Sequence, residues 1–229
     1  MLDLTEASFP ESPWNTQGSF LHAFFIVLAA TVERLKGFRV LRDLRRQATA
    51  PAHVVGSLRA VPQDEAERRL AELDGREKKL KARFKQAMEN HRQTSGSLKL
   101  GIEVLAEDAG LTEPEKWALL CLVPPACSQD LGEHIYGGLD SVHYAGSLTV
   151  EALVELSDQQ TLDEIFETRD LFAHDGRLVR HGLITVEHCA RQVGPEDVLG
   201  ARVQLTWSAF STLVGRPDLD CGHRVEGEN

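Results

Sequence analysis

The stretch between Gly176 and Trp207 constrains the fold more than any other. Gly176-Arg-Leu-Val-Arg-His-Gly182 leads into residues 183–189, Leu-Ile-Thr-Val-Glu-His-Cys. β-branched residues in partial alternation predict a strand there. Gly194-Pro195 lies in the turn region that follows. From 201 to 207, Val203, Leu205 and Trp207 alternate with Arg202, Gln204 and Thr206. That two-residue period predicts a second half-buried strand and, with the first, one β-hairpin.

Helices precede the hairpin. Thr112-Glu113-Pro114-Glu115 has the chemistry of a helix start: a hydroxyl to cap the orphan N–H groups, proline in the first turn, and carboxylates at the positive end of the dipole. Residues 117–123 fill that helix, and Pro124-Pro125 is expected to stop it. Further short helices are expected over 131–139, over 147–156 with Thr149 as a plausible cap, and over 162–172. A last helical turn is expected over 210–214, ended by Gly215 and Pro217. Short helices followed by one β-hairpin is the winged-helix order, a relative of the helix-turn-helix.

The first hundred residues follow a different period. After a loose lead ending at Pro13, Trp14 opens a helix to about residue 46. Leu21, Phe25, Leu28, Val32 and Leu35 are spaced alternately four and three apart, so they share one face. Pro51, Gly56 and Pro62 mark a connection over 47–62. A second helix over 64–93 carries the seam Ala66, Leu70, Leu73, Leu80, Phe84 and Ala87. Glu77 occupies one seam position and Gly75 weakens the middle. Two matching seams across a short connection predict an antiparallel hairpin, serving either as a projecting stalk or as part of a helical bundle. Thr94, Ser95 and Gly96 break the second helix, and Gly110 closes a short amphipathic stretch over 98–106. The expected organisation is a basic, coiled-coil-like hairpin domain over 1–100, an acidic winged-helix domain over 101–217, and a linker-like tail over 218–229. The fold class is mainly α, with a small antiparallel β-hairpin.

Charge separates the halves. Residues 1–100 carry 17 Lys+Arg against 12 Asp+Glu, a net +5; residues 101–229 carry 8 against 23, a net −15. Duplex DNA is bound by neutralising phosphates, so the acidic half argues against nucleic acid as the partner of the winged helix. Near the hairpin, Arg177, Arg180 and His181 are offset by Asp170, Asp175, Glu196 and Asp197. The basic residues of the first half interleave with acids, as on a solvated helix face. With 42% hydrophobic and 26% charged residues the composition is that of a globular protein. Four scattered cysteines, Cys121, Cys127, Cys189 and Cys221, form no disulfide framework and suit a reducing cytoplasm. The apolar run over 20–32 is shorter than the roughly 20 residues that span a bilayer, so a buried helix and no membrane span are expected.

Searches for chemistry exclude more than they find. The sequence has no G-x-S-x-G elbow, no H-E-x-x-H pair, no C-x-x-C pair and no G-x-x-x-x-G-K-[ST] phosphate loop. Cys121 falls inside an apolar helix and reads as core. Cys221, His223, His188 and Cys189 have zinc-ligand chemistry, but two of them lie in the tail, and no metal site is expected. His174, His181 and His188 read as surface histidines. No carboxylate pair stands in a setting that would split two pKa values. No catalytic residue and no cofactor are therefore assigned.

Residues 111–216 resemble the N-terminal winged-helix domain that precedes the ATPase module in a group of bacterial AAA+ proteins. The resemblance rests on "LTEPEKWALLCLVPP", "SLTVEALVEL", "LFAHDGRLVRHGLITVE" and "VQLTWSAFSTLVG". Leu111, Thr112 and Glu115 match the family's helix start. Leu178, Arg180, Gly182, Leu183 and Ile184 match its L-x-R-x-G-L-[IL] segment, and Leu213 and Gly215 match its final L-x-G. The helical region around "PWNTQGSFLHAFF" is similar to that family's N-terminal helices. The resemblance implies a non-catalytic regulatory or substrate-recruiting region that binds a protein client or a neighbouring ATPase domain. It implies oligomers formed through an ATPase module, and ATP with Mg only on that module. The linker-like tail adds the expectation that the chain is one piece of a longer ATPase. A DNA-binding transcriptional regulator and a stand-alone adaptor for a separate ATPase are the alternatives. Candidate partner-binding residues are Arg177, Arg180 and His181 before the hairpin, with the aromatics Tyr144 and Trp14 near the domain junctions, each of which reads equally as a core residue.

Overall fold

The computed structural model describes residues 13–49, 62–94, 98–137, 139, 146–157, 161–187 and 199–216. The chain packs as two compact units. The first comprises Met1–Trp14, His22–Ser97 and Ile135–Asp140; the second comprises Asn15–Leu21, Leu98–His134 and Ser141–Asn229. The main crossing between them falls at 97/98. The two shorter exchanged segments had no sequence signal.

The first unit is built on two long helices, α1 (Gln17–Thr49), from His22 onward, and α2 (Gln63–Gln93). α1 owes its position to an apolar face that water disfavours: Phe24, Val27 and Leu28 are fully buried, as are most side chains over 20–32. By length and composition α1 could cross a membrane, which corrects the expectation of too short a run; 61% of its most apolar window is buried within the protein. In α2, Ala66, Glu77, Leu80 and His91 are buried, continuing the expected seam by one position beyond Ala87. Cross-helix pairs fix the alignment. Thr31 and Arg34 reach Glu77, Glu33 reaches Arg76, and Arg45 reaches Glu67. Residue numbers on α2 fall as those on α1 rise, which makes the hairpin antiparallel. Glu77 thus fills its seam position as an ion-pair hub, and α2 runs unbroken through Gly75.

The second unit begins with α3 (Gly101–Ala109) and α4 (Glu113–Cys121). The Thr112–Glu115 pair forms a capping box on α4, as the sequence suggested: the Glu115 carboxylate accepts from the Thr112 N–H at 2.7 Å and from its hydroxyl at 2.8 Å. Pro124-Pro125 does not simply stop a helix. α4 ends at Cys121, and the prolines sit in the first turn of α5 (Val123–Cys127), where their missing N–H groups have no helical partner to lose. Cys121 is fully buried, a core residue as read from the sequence. α6 (Gln129–Tyr136) starts on the Ser128 hydroxyl, which accepts from the Leu131 N–H at 3.1 Å.

A three-stranded antiparallel sheet follows, in the order β1-β3-β2. β1 is Leu148–Thr149, β2 is Ile184–Glu187 and β3 is Arg202–Leu205. β2 and β3 are the expected hairpin strands, with Ile184 opposite Leu205 and Val186 opposite Val203. β1 is an addition. Residues 148–149 read as the start of a helix, but they pair with Val203 and Arg202 before α7 (Val150–Leu156) begins. Thr149 plays both parts, strand residue and N-cap, its hydroxyl accepting from the Ala152 N–H at 3.1 Å. α8 (Leu162–Asp170) and α9 (Arg177–Arg180) separate α7 from β2. Trp207, expected in a strand, instead opens α10 (Trp207–Leu213), because the Thr206 hydroxyl caps the Ala209 N–H at 3.3 Å. α3 and α10 approach so closely that a Cβ on Gly101 would stand 2.1 Å from the Thr212 carbonyl oxygen, so only glycine fits there.

Candidate functional site

In the second unit α7 and α8 pack against each other. A capping box starts α8: the Thr161 hydroxyl accepts from the Glu164 N–H at 3.3 Å, and the Glu164 carboxylate accepts from the Thr161 N–H at 3.0 Å. Thr168 points inward and is buried, with Ile165 half-buried on the same face. Leu162 and Phe166 lie roughly 110° round the helix from that face. They are 70% and 47% exposed. The Arg169 guanidinium sits over the Phe166 ring, 5.0 Å from its centroid, and holds the ring against the helix surface.

The charge on α8 is one-sided. Asp163, Glu164, Glu167 and Asp170 oppose Arg169 alone. A nine-residue helix is about 13 Å long, and B-DNA presents roughly eight phosphate charges along that length. Such a helix laid against a duplex meets repulsion along its whole length, with one guanidinium to offset it. The same surface suits a protein partner: two large apolar side chains framed by carboxylates.

Behind α8 lies an open cleft of about 500 Å³, lined by Glu115, Glu167, Asp170, Asp175, Arg177 and Arg180 among others. Arg177 reaches from α9 back to the start of α4. It pairs with the buried Glu115 at 3.2 Å and donates a short hydrogen bond to the Gly110 carbonyl. One carboxylate oxygen thereby serves both the α4 cap and the tie to α9, giving Arg177 a fastening part within the unit. Arg180 and His181 are exposed at the end of α9. The chain then turns at Gly182, whose φ of 62° is left-handed, and the Leu183 N–H closes onto the Leu178 carbonyl at 2.9 Å.

The two aromatic candidates fare differently. Trp14 is 2% exposed and packs on Phe84 and His91, with ring centroids 5.7 and 5.5 Å away. The expectation of an exposed contact residue is corrected: its large apolar ring completes the core of the first unit. Tyr144 lies outside the described residues, as do His188, Cys189, Glu196, Asp197, Cys221 and His223. His174 is exposed, as expected. Among the described residues, no group of three or more His, Cys, Asp or Glu side chains could hold a metal ion. Cys127 is exposed as a residue, while partial desolvation of its thiol raises the pKa above the ordinary value of 9.0 and disfavours the nucleophilic thiolate.

The residues the sequence reading missed are Leu162, Phe166, Glu167 and Asp170. A signal was present: two apolar residues four apart, off the inward face of a helix otherwise rich in carboxylates. A family model described as a winged helix domain, variant, matches residues 4–221. No curated protein and no solved structure matches the chain.

Proposed function

This chain belongs to the variant winged-helix family, and from that premise we propose that it is a non-catalytic region that binds protein partners through α8. Family membership supports an interaction role with either protein or DNA. The observation that favours protein is α8 itself, with Leu162 and Phe166 exposed among four carboxylates and one guanidinium. Fold alone does not choose between the two, so the surface carries the argument.

The finer reading is the N-terminal regulatory or substrate-recruiting region of an AAA+ ATPase of the cytoplasm. It is supported by the resemblance of the helix start at 111–115, the segment at 178–184 and the final Leu213-x-Gly215 to that group. In this reading ATP and Mg belong to the motor module, and the partner is a client or the neighbouring ATPase domain. A photo-crosslinking residue at position 166, with Asp130 as the control position, tests it. The expected result is a cross-link to protein from 166 and not from 130. Salt-sensitive binding of a labelled duplex, weakened by Arg180→Ala, would overturn the reading in favour of a DNA-binding regulator.

A further inference from the structure

Six large hydrophobic side chains are exposed among the described residues: Phe38, Val40, Leu98, Leu162, Phe166 and Trp207. Three of them stand in two opposite electrostatic settings. Leu162 and Phe166 stand on α8 among Asp163, Glu164, Glu167 and Asp170. Phe38 stands on α1, with Val40 on the opposite side of that helix; residues 36–46 hold Lys36, Arg39, Arg42, Arg45 and Arg46 against Asp43, and Arg45 also pairs with Glu67 of α2. Phe38, Leu41, Arg42, Arg45 and Arg46 line a shallow groove on that helix. One chain thus displays a basic helical surface around an exposed Phe38 and an acidic one around exposed Leu162 and Phe166. The net +5 of residues 1–100 and −15 of residues 101–229 extend the same complementarity over the whole chain.

We propose that the α8 face docks the basic outer half of α1 of a second copy of this chain. This rests on the reading of α8 as a protein-docking face and names its occupant. The contact is heterologous: each copy uses a different surface, so one is left with its α1 surface unused and the other with its α8 surface unused. Opposite charges frame the apolar contacts on both sides, so they set orientation and make association dependent on ionic strength.

The test is the mass of the full 229-residue chain by sedimentation and light scattering across a concentration series, at about 50 and about 500 mM salt. Mass should rise with concentration at low salt, and the apparent Kd should weaken about tenfold or more at high salt. Glu167→Lys/Asp170→Lys and Arg42→Glu/Arg46→Glu should each be monomeric, because each sets like charge against like. Mixed together they should associate, since the first keeps the basic α1 surface and the second keeps the acidic α8 surface. Circular dichroism confirms that each variant is folded, and the neutral exposed change Phe166→Ser gives an independent loss of association. A wild type that stays monomeric at low salt overturns the proposal, as does a mixture that fails to associate. If the monomeric wild type still cross-links to another protein from position 166, the α8 reading stands and only the second copy is wrong. Duplex binding by α8 would sink both.

Discussion

The Glu77 hub of the helical hairpin supports a prediction that can be worked in some detail. Its side chain is 2% exposed and is held by the Thr31 hydroxyl at 2.8 Å, by Lys81 at 2.8 Å and by Arg34. Burial works to raise its pKa, but the bonds and charges of Lys81, Thr31 and Arg34 outweigh burial and hold the carboxyl below its ordinary value of 4.5. In Glu77→Ala, Arg34, 13% exposed, loses its buried counter-charge. Removing one partner of a buried pair costs about 3–5 kcal/mol. Two features place this case near the lower end: Lys81 is 35% exposed and can reach water, and Thr31 keeps its bond to the Val27 carbonyl. The expected loss of about 3 kcal/mol would move a urea midpoint by about 1.5 M for a slope near 2 kcal/mol/M. Replacing both charges, Glu77→Leu with Arg34→Leu, should recover most of that loss, because an apolar pair needs no desolvation of ions. A single variant within about 0.5 kcal/mol of wild type, or a double variant worse than the single, would refute the reasoning.

The same site sets a pH dependence. Because the folded-state pKa is depressed, the stabilisation is fully present above about 4.5 and is lost as pH falls through the lowered folded value. Glu77→Gln, which has no such proton to take up, should show a flatter loss of stability across that acidic window, measured by urea unfolding at a series of pH values. Gly75→Ala should stabilise by about 0.5–1 kcal/mol, since the position is an exposed helix interior with no atom within 4 Å of the added methyl; thermal unfolding reads this. Gly101→Ala should destabilise by about 1–3 kcal/mol or more, because the methyl meets a backbone carbonyl that a rotamer change does not move; the same melt shows the opposite sign. Thr161→Ala should cost about 1 kcal/mol by removing the α8 cap, visible as faster hydrogen exchange in the first turn of that helix.

Periodicity made the helices and the β2–β3 hairpin legible. The seams of α1 and α2 read correctly because a helix that buries one face must repeat its apolar residues. The α4 cap was legible because its chemistry is local, contained in four consecutive residues. Features set by distant partners were not. Leu148 and Thr149 become a strand only because Val203 and Arg202 arrive beside them, more than fifty positions later. Trp207 continues the alternation of β3 in sequence, yet Thr206 turns the chain into α10. Pro124-Pro125 is consistent with a stop and with a start, and composition does not choose between them. At the site, Arg177 was singled out for its charge, but its partner Glu115 is 62 positions away, so its fastening part was invisible. Trp14 was read by position in the chain, whereas its burial depends on Phe84 and His91 of another helix.

The exchange of short segments between the two units bears on how such a chain can be divided. The unit that holds the sheet also holds Asn15–Leu21, and there the Gln17 amide donates to the Lys99 carbonyl at 3.1 Å. The hairpin unit in turn holds Ile135–Asp140. A single cut at residue 98 therefore severs each unit from residues that complete it. Recombination, truncation or transplantation that respects the fold has to carry both units together: the inheritable block is the interlaced pair, even though the charge pattern invites a division into halves.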